Sequence, residues 1–224
     1  MSLPIRRLSE QDLAQLYLQT EAPLRLDDLM QDRVHGDAAQ IAVHDSIAAQ
    51  TPDLALISLS LCALIVARDF PVELKDGPGG PVLRELTVAC EDNLLTVGRL
   101  WLDTVCNGIK PARSDRDVIA TIPDRLRILT SIFMELRDML LETAPGPIHA
   151  ALKTLYYQSE SHADLADRFV ADFARPRKTA KPSADHAAAR RKTPVQVPLP
   201  FDLIRPREGA EVVSFSLFHQ KRRP

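Results

Sequence analysis

The sequence predicts an all-α fold: an irregular up-and-down helical bundle over residues 1–173, followed over 174–224 by a basic, proline-rich tail expected to be disordered. Three observations carry this. Hydrophobic residues make up 45% of the chain but aromatics only 5%, so the interior should be Leu, Ala, Val and Ile packed between helices. Apolar residues recur at spacings of three and four through most of the first 170 positions. After Phe173 that period stops, and Pro176, Pro182, Pro194, Pro198, Pro200 and Pro206 fall among Arg, Lys, Ala and Ser. Such a stretch cannot bury enough apolar surface to offset the entropy of ordering it.

The elements follow in order. Ser9 is placed to cap a helix running to about Thr20, with Asp12 in its first turn. Pro23 interrupts, and a helix is expected from about Arg25 to Ala49, with Leu26, Leu29, Met30, Val34, Ile41 and Val43 as its apolar positions and Gly36 as a breaking point. Thr51 and Pro52 form a helix start, because a proline at the first helical position gives up a donor that has no partner there. The apolar run Leu54 to Ala67 follows directly. It is apolar on every side, as for a helix covered all round, and at about 14 residues it is short of the roughly 20 that a membrane span needs. This helix is the expected centre of the core.

Residues 75–80, Lys-Asp-Gly-Pro-Gly-Gly, read as a loop. Pro81 then opens a long helix ending near Asn107 and Gly108, with Leu83, Leu86, Cys90, Leu94, Val97, Trp101 and Val105 as one stripe. Another is expected over Pro123 to Thr143, with Leu126, Leu129, Ile132, Phe133, Leu136, Met139 and Leu140 inward and Arg125, Arg127, Glu135, Arg137 and Asp138 outward. Pro145 and Pro147 stop it. Two shorter helices, Ile148 to Gln158 and Ser161 to Phe173, complete the bundle, the second opened by a Ser161 and Asp164 start signal. No internal repeat of fixed period occurs, and no strand is expected before residue 190.

Charge divides the chain as the helical pattern does. The formal net charge of −2 conceals 16 Lys and Arg against 26 Asp and Glu in residues 1–173, and 12 against 4 in residues 174–224. An acidic body and a basic arm are the result, and the arm could meet nucleic acid, an acidic protein or the body itself. Cys62, Cys90 and Cys106 are odd in number, lack a paired spacing and sit in apolar runs, so they read as small buried hydrophobes. No apolar segment follows the basic residues near the start, and a reducing cytoplasmic setting is the expectation.

Enzyme chemistry finds little purchase in the body. His35, His44, His149, His162, His186 and His219 form no metal-binding spacing, so neither metal nor cofactor is expected. The Gly77 to Gly80 segment precedes a helix as a phosphate cradle would, but it lacks a preceding strand and the Lys-Ser/Thr ending, and reads as a helix connection. Glu91, Asp92 and Asn93 could carry a carboxylate into the bundle. Three consecutive positions fan over roughly 200° of a helix, however, so a solvated face is expected there.

The tail holds two apolar islands, Val195 to Ile204 and Val212 to Phe218. The first reads Thr193-Pro194-Val195-Gln196-Val197-Pro198-Leu199-Pro200-Phe201-Asp202-Leu203. It resembles the short peptide by which bacterial polymerases, mismatch-repair proteins and replication-initiation regulators bind the sliding clamp of DNA replication. In that class a Gln is followed by Leu at the fourth position and Leu or Phe at the sixth, here Gln196, Leu199 and Phe201. The resemblance implies that Gln196 hydrogen-bonds at the rim of a groove on the clamp while Leu199 and Phe201 fill its pocket. Val197 replaces the usual Leu at the second position, and Pro198 stands where Ser or Asp is common. The second island ends in Ser216-Leu217-Phe218, which resembles the shorter form of the same peptide, with Ser214 where Gln is expected. An alternative for both islands is an apolar segment folded back on the body, and the second also suits a strand added to a sheet edge.

The Arg190-Arg191-Lys192 cluster, with those at 175–178 and 221–223, could contact phosphates without sequence preference, since no aromatic residues interleave them. The expected function is therefore that of a non-enzymatic adaptor or regulator docking a protein partner through Gln196, Leu199, Phe201, Leu217 and Phe218. An enzyme with a site between helices and a DNA-binding regulator using the basic arm are the alternatives. No membrane partner is expected, and the sequence leaves the oligomeric state open.

Overall fold

The computed structural model describes residues 8–31, 37–112, 114–141 and 146–174, and these form an all-α body with no strand among them. Helix α1 (Glu10–Thr20) starts with the expected cap: the Ser9 hydroxyl accepts from the Asp12 backbone N–H at 3.1 Å, and the Asp12 carboxylate accepts from the Ser9 N–H at 2.9 Å. Glu21 then turns the chain with φ of +50°, a costly conformation for a residue with a Cβ, and α2 (Ala22–Met30) follows with Pro23 in its first turn. The single helix expected from 25 to 49 is two helices, because Gln31 closes α2 and α3 (Asp37–Ala48) starts afresh. The restart resets the helical phase. Ile41, expected inward, is 56% exposed, while Ala39, Val43 and Ile47 face the core at spacings of four. Val34 and Gly36 lie outside the described residues.

Helix α4 (Pro52–Asp69) is the centre of the core, as its all-round apolarity predicts. Pro52 occupies its first turn after Thr51, although the Thr51 side chain makes no capping hydrogen bond. Ala55 to Ala63 is continuously buried, and α1, α2, α3 and the later long helices pack on α4. Ser58 and Ser60 are tolerated inside because small hydroxyls cost little volume, and Ser60 donates to the Leu56 carbonyl of its own helix at 2.8 Å.

A single turn, α5 (Val72–Lys75), and a three-residue bend lead into α6 (Gly79–Asn93), so the segment expected as a loop is helical at both ends. Its glycines are explained by contact. A Cβ at Gly80 would stand 2.4 Å from the Lys75 carbonyl oxygen, and one at Gly79 would stand 2.9 Å from that of Leu74. Only residues without side chains let the two helices meet so closely.

From Asn93 onward the long helix departs from α geometry. A π-helical turn (Leu94–Gly98), a short α7 (Arg99–Trp101) and a second π-helical turn (Leu102–Cys106) continue it, with the Arg99 N–H bonding to the Leu94 carbonyl and the Asn107 N–H to that of Leu102. Each π turn takes in one residue more than an α turn and rotates the inward face. Leu83, Leu86, Cys90, Leu94, Val97 and Trp101 are buried as the stripe predicts, but Val105 is 62% exposed and Leu102 takes the inward place. Gly98 lies against α1, where a Cβ would come within 3.0 Å of Leu16 Cδ1, and Gly108, with φ of +66°, ends the helix.

A short helix, α8 (Asp115–Ala120), too brief to show a period, precedes α9 (Ile122–Leu141) and α10 (Pro147–Ala174). The last two helices pair closely and run antiparallel, as three contacts show: Arg127 with Asp167, Thr130 with Ser159 at 2.8 Å, and Arg137 over the Tyr156 ring at 4.9 Å. The break expected between Gln158 and Ser161 does not occur. Ser159, two residues before the expected start, is buried, donates to the Tyr156 carbonyl and accepts from Thr130, and Ser161 and Asp164 stand exposed within the continuous helix. Arg125, expected to face outward, is only partly exposed and turns toward α6.

Candidate functional site

The residues singled out for partner binding, Gln196, Leu199, Phe201, Leu217 and Phe218, lie outside the described residues, as do Arg190, Arg191 and Lys192. The site chemistry that can be described belongs to the helical body.

Its most developed polar feature joins three helices. Ser60 on α4 accepts from the Asn93 side chain on α6 at 3.2 Å, and Asn93 in turn accepts from Arg125 on α9 at 2.9 Å. Arg125 reaches outward from there to Asp92 at 2.5 Å. The Glu91-Asp92-Asn93 triplet thus sends its neutral amide inward, 2% exposed, and leaves both carboxylates at the surface. This answers the possibility of a buried carboxylate: an amide can satisfy one donor and one acceptor without carrying charge into the core.

The Cys62 and Cys90 thiols offer no nucleophile. Burial pushes Cys90 up to about 12, against a smaller opposing effect from its Ser60 hydrogen bond, and burial drives Cys62 still higher. Both thiols are neutral near pH 7 and serve as core hydrophobes, as their sequence positions predict. Cys106, which the same reading places inside, is only partly buried because the second π turn rotates it. Trp101, 8% exposed, is a core residue.

Among the described residues two surface depressions stand out, both open to solvent. One, of about 240 Å³, lies along the π-distorted helix between Leu95, Arg99 and Asp103 on one side and Lys110, Asp115 and Val118 on the other. Its guanidinium is already held by Asp12 at 3.1 Å and by Asp103 at 3.3 Å. The other, of about 530 Å³, follows one face of α9 past Ser131, Met134, Glu135, Asp138 and Met139. In the second, no hydrogen bond joins Ser131 to Glu135 or Asp138 among the described residues. Among the described residues no three His, Cys, Asp or Glu side chains stand where they could hold a metal ion, and no helix is long and apolar enough to cross a membrane.

One polar residue gave no warning in the sequence. His162 is 1% exposed and bonds through Nε2 to the Ile47 carbonyl on α3 at 3.0 Å. It sits beside Ala163 and Ala166 on the inward face of α10, and only that helical phase could have marked it as buried. No family model, no curated protein and no solved structure matches this chain.

Proposed function

We propose that this protein is an adaptor or regulator whose helical body carries a tethered docking peptide, and that the peptide's partner is the sliding clamp of DNA replication. The observation that carries this reading is the spacing of Gln196, Leu199 and Phe201 in a segment interleaved with Pro198 and Pro200. Pro198 and Pro200 restrict the backbone before binding, so less entropy is lost on docking, and alternate side chains can enter pockets. The polar groups of the body support the same division of labour. Ser60, Asn93 and Arg125 are engaged in ties between helices, and Arg99, at the edge of a depression, is held by Asp12 and Asp103.

The test is a binding measurement on the full chain with purified clamp, beside a synthetic Val195 to Leu203 peptide. Both should bind, and replacing Gln196, Leu199 and Phe201 together by Ala should weaken the full chain by about 100-fold or more, as loss of two anchoring side chains requires. No binding of either at high micromolar clamp concentration removes the reading. Retention of DNA in the same assay, falling steeply with salt and lost on truncation after Phe173, would instead favour a nucleic-acid-binding arm.

A further inference from the structure

Helix α3 packs on α2, α4 and α10. Three apolar residues, Ala39, Val43 and Ile47, hold it to the core, and two polar ties join it to α10. At its start the Gln40 amide donates to Thr154 Oγ1 at 3.1 Å and to the Ala150 carbonyl at 3.3 Å. At its end His162 meets the Ile47 carbonyl, in the last turn, and that carbonyl also accepts from the Gln50 N–H at 3.0 Å. The two ties show that α3 and α10 run side by side in the same direction.

The ring at the second tie has one protonation state that suits it. A carbonyl can only accept, so Nε2 carries the hydrogen, and Nδ1 of the neutral ring carries a lone pair. Nδ1 is buried and has no partner among the described residues. A proton added there would be a charged donor without an acceptor, in a place that water does not reach. We propose that His162 is a proton-sensitive latch between α10 and α3, closed when the ring is neutral and released by mild acidification, so that the α3 edge of the bundle opens while the rest stays folded.

The charges on neighbouring helices do not offset the added proton. On α2, Arg25 is paired with Glu21 and Asp27 with Arg68, and Asp28 has interactions of its own. On α3, Asp37 opens the helix at its far end, and Asp45 is exposed and paired with His44. On α4, Arg68 and Asp69 are paired at the C-terminal end, leaving Asp53, whose Oδ1 is buried without a partner, as the carboxylate nearest in sequence to the α3 end. It forms no ion pair with His162 among the described residues. On α9, Asp124 and Asp167 of α10 share Arg127, Arg125 holds Asp92, and Arg137 holds Asp138, with Glu135 exposed. Exposed Lys153, Glu160, Asp164 and Arg168 lie on the outer face of α10 itself.

Burial lowers the His162 pKa below its ordinary 6.5, and the hydrogen bond to Ile47 opposes this less strongly. A group of that kind binds its proton more readily when exposed, so the closed state loses ground as pH falls through 6.5 toward the lowered value, and is fully favoured above 6.5.

Hydrogen exchange of the full chain at pH 7.5, 6.5 and 5.5, corrected for intrinsic rates, tests this. Peptides covering α3 should exchange about fivefold faster or more at pH 5.5 than at 7.5, while those from α9 stay unchanged. His162→Gln, which keeps an amide donor for Ile47 but cannot titrate, should abolish the pH response, whereas a His44→Gln, His149→Gln double variant should keep it. Unchanged α3 protection in the wild-type chain overturns the proposal, as does a response that persists in His162→Gln. Should His162→Gln fail to fold, the ring C–H signals of the wild-type chain decide: titration at or above the ordinary imidazole value, without a matching change in α3 amides, overturns it.

Discussion

Helices α4 and α10 both run through the middle of the body, yet they are held there by different physics. Helix α4 is surrounded, and its buried positions after Pro52 are Leu, Ile, Ala, Val and Cys with two serines. Helix α10 is amphipathic and places Thr154, Gln158, Ser159 and His162 among its buried residues, three of them bonded to other helices. Non-directional burial fixes that α4 is inside without fixing its rotation or register, whereas a hydrogen bond to one carbonyl or hydroxyl does fix them. The difference predicts where stability resides and where specificity of arrangement does.

The largest effect should come from emptying a site on α4. Leu59 is fully buried, and Leu59→Ala should lower the unfolding free energy by about 3–5 kcal/mol, since the surrounding helices relax only partly into the space left. Urea denaturation followed by far-UV circular dichroism reads this as a lower midpoint. The comparison would break if a polar tie on α10 proved equally costly to remove.

An intermediate effect is expected where a polar chain reaches α4. Arg125→Met keeps much of the side chain's bulk but leaves the Asn93 carbonyl oxygen without its donor, and a buried unsatisfied acceptor costs about 1–3 kcal/mol. Asn93→Leu combined with Arg125→Met should recover part of that loss, because no orphan remains. A double-mutant cycle on the denaturation midpoints measures the recovery, and purely additive losses would mean that Asn93 is satisfied some other way.

How much of this could be read beforehand depends on the range of the forces. Local signals were legible: the Ser9 and Asp12 cap, Pro52 opening α4, Gly108 closing the long helix, and the inward face of α9 from Leu126 to Leu140 are all set within a few residues. What was not legible arises between helices. The π turns that move Val105 out and Leu102 in accompany the packing of Gly98 on Leu16, and the joining of two expected helices into α10 depends on Ser159 meeting Thr130 across the helix pair. A start signal at Ser161 competes only with local alternatives, and a long packed face outweighs it. The spacing of Gln196, Leu199 and Phe201, on which the proposed docking peptide rests, falls within six positions of sequence and can be read without any fold, whereas the contacts of Asn93 and His162 exist only once α4, α9 and α3 have brought their partners to them.

A smaller effect separates the buried ties of α10 from one another. Ser159→Ala removes one of the two acceptors, Ser159 Oγ and the Leu126 carbonyl, that share the single Thr130 hydroxyl proton, and should cost about 1 kcal/mol. The loss should appear in hydrogen exchange as faster opening at the centre of α10, with α4 amides retaining the protection set by global unfolding. Equal acceleration in both helices would show that α10 has no local unfolding of its own.

The smallest effect sharpens what counts as a tie. Arg127 reaches both Asp124 on its own helix and Asp167 on α10, so by inventory it joins α9 to α10 as firmly as Thr130 does. Yet its side chain is 50% exposed and that of Asp167 is 52% exposed, so water competes for every donor and salt screens the charge. Arg127→Ala should change stability by no more than about 0.5 kcal/mol, and that change should shrink further in 0.5 M NaCl. A loss that matched Ser159→Ala and persisted in high salt would mean that the charged rim, rather than the buried hydroxyl pair, sets the register of the two helices.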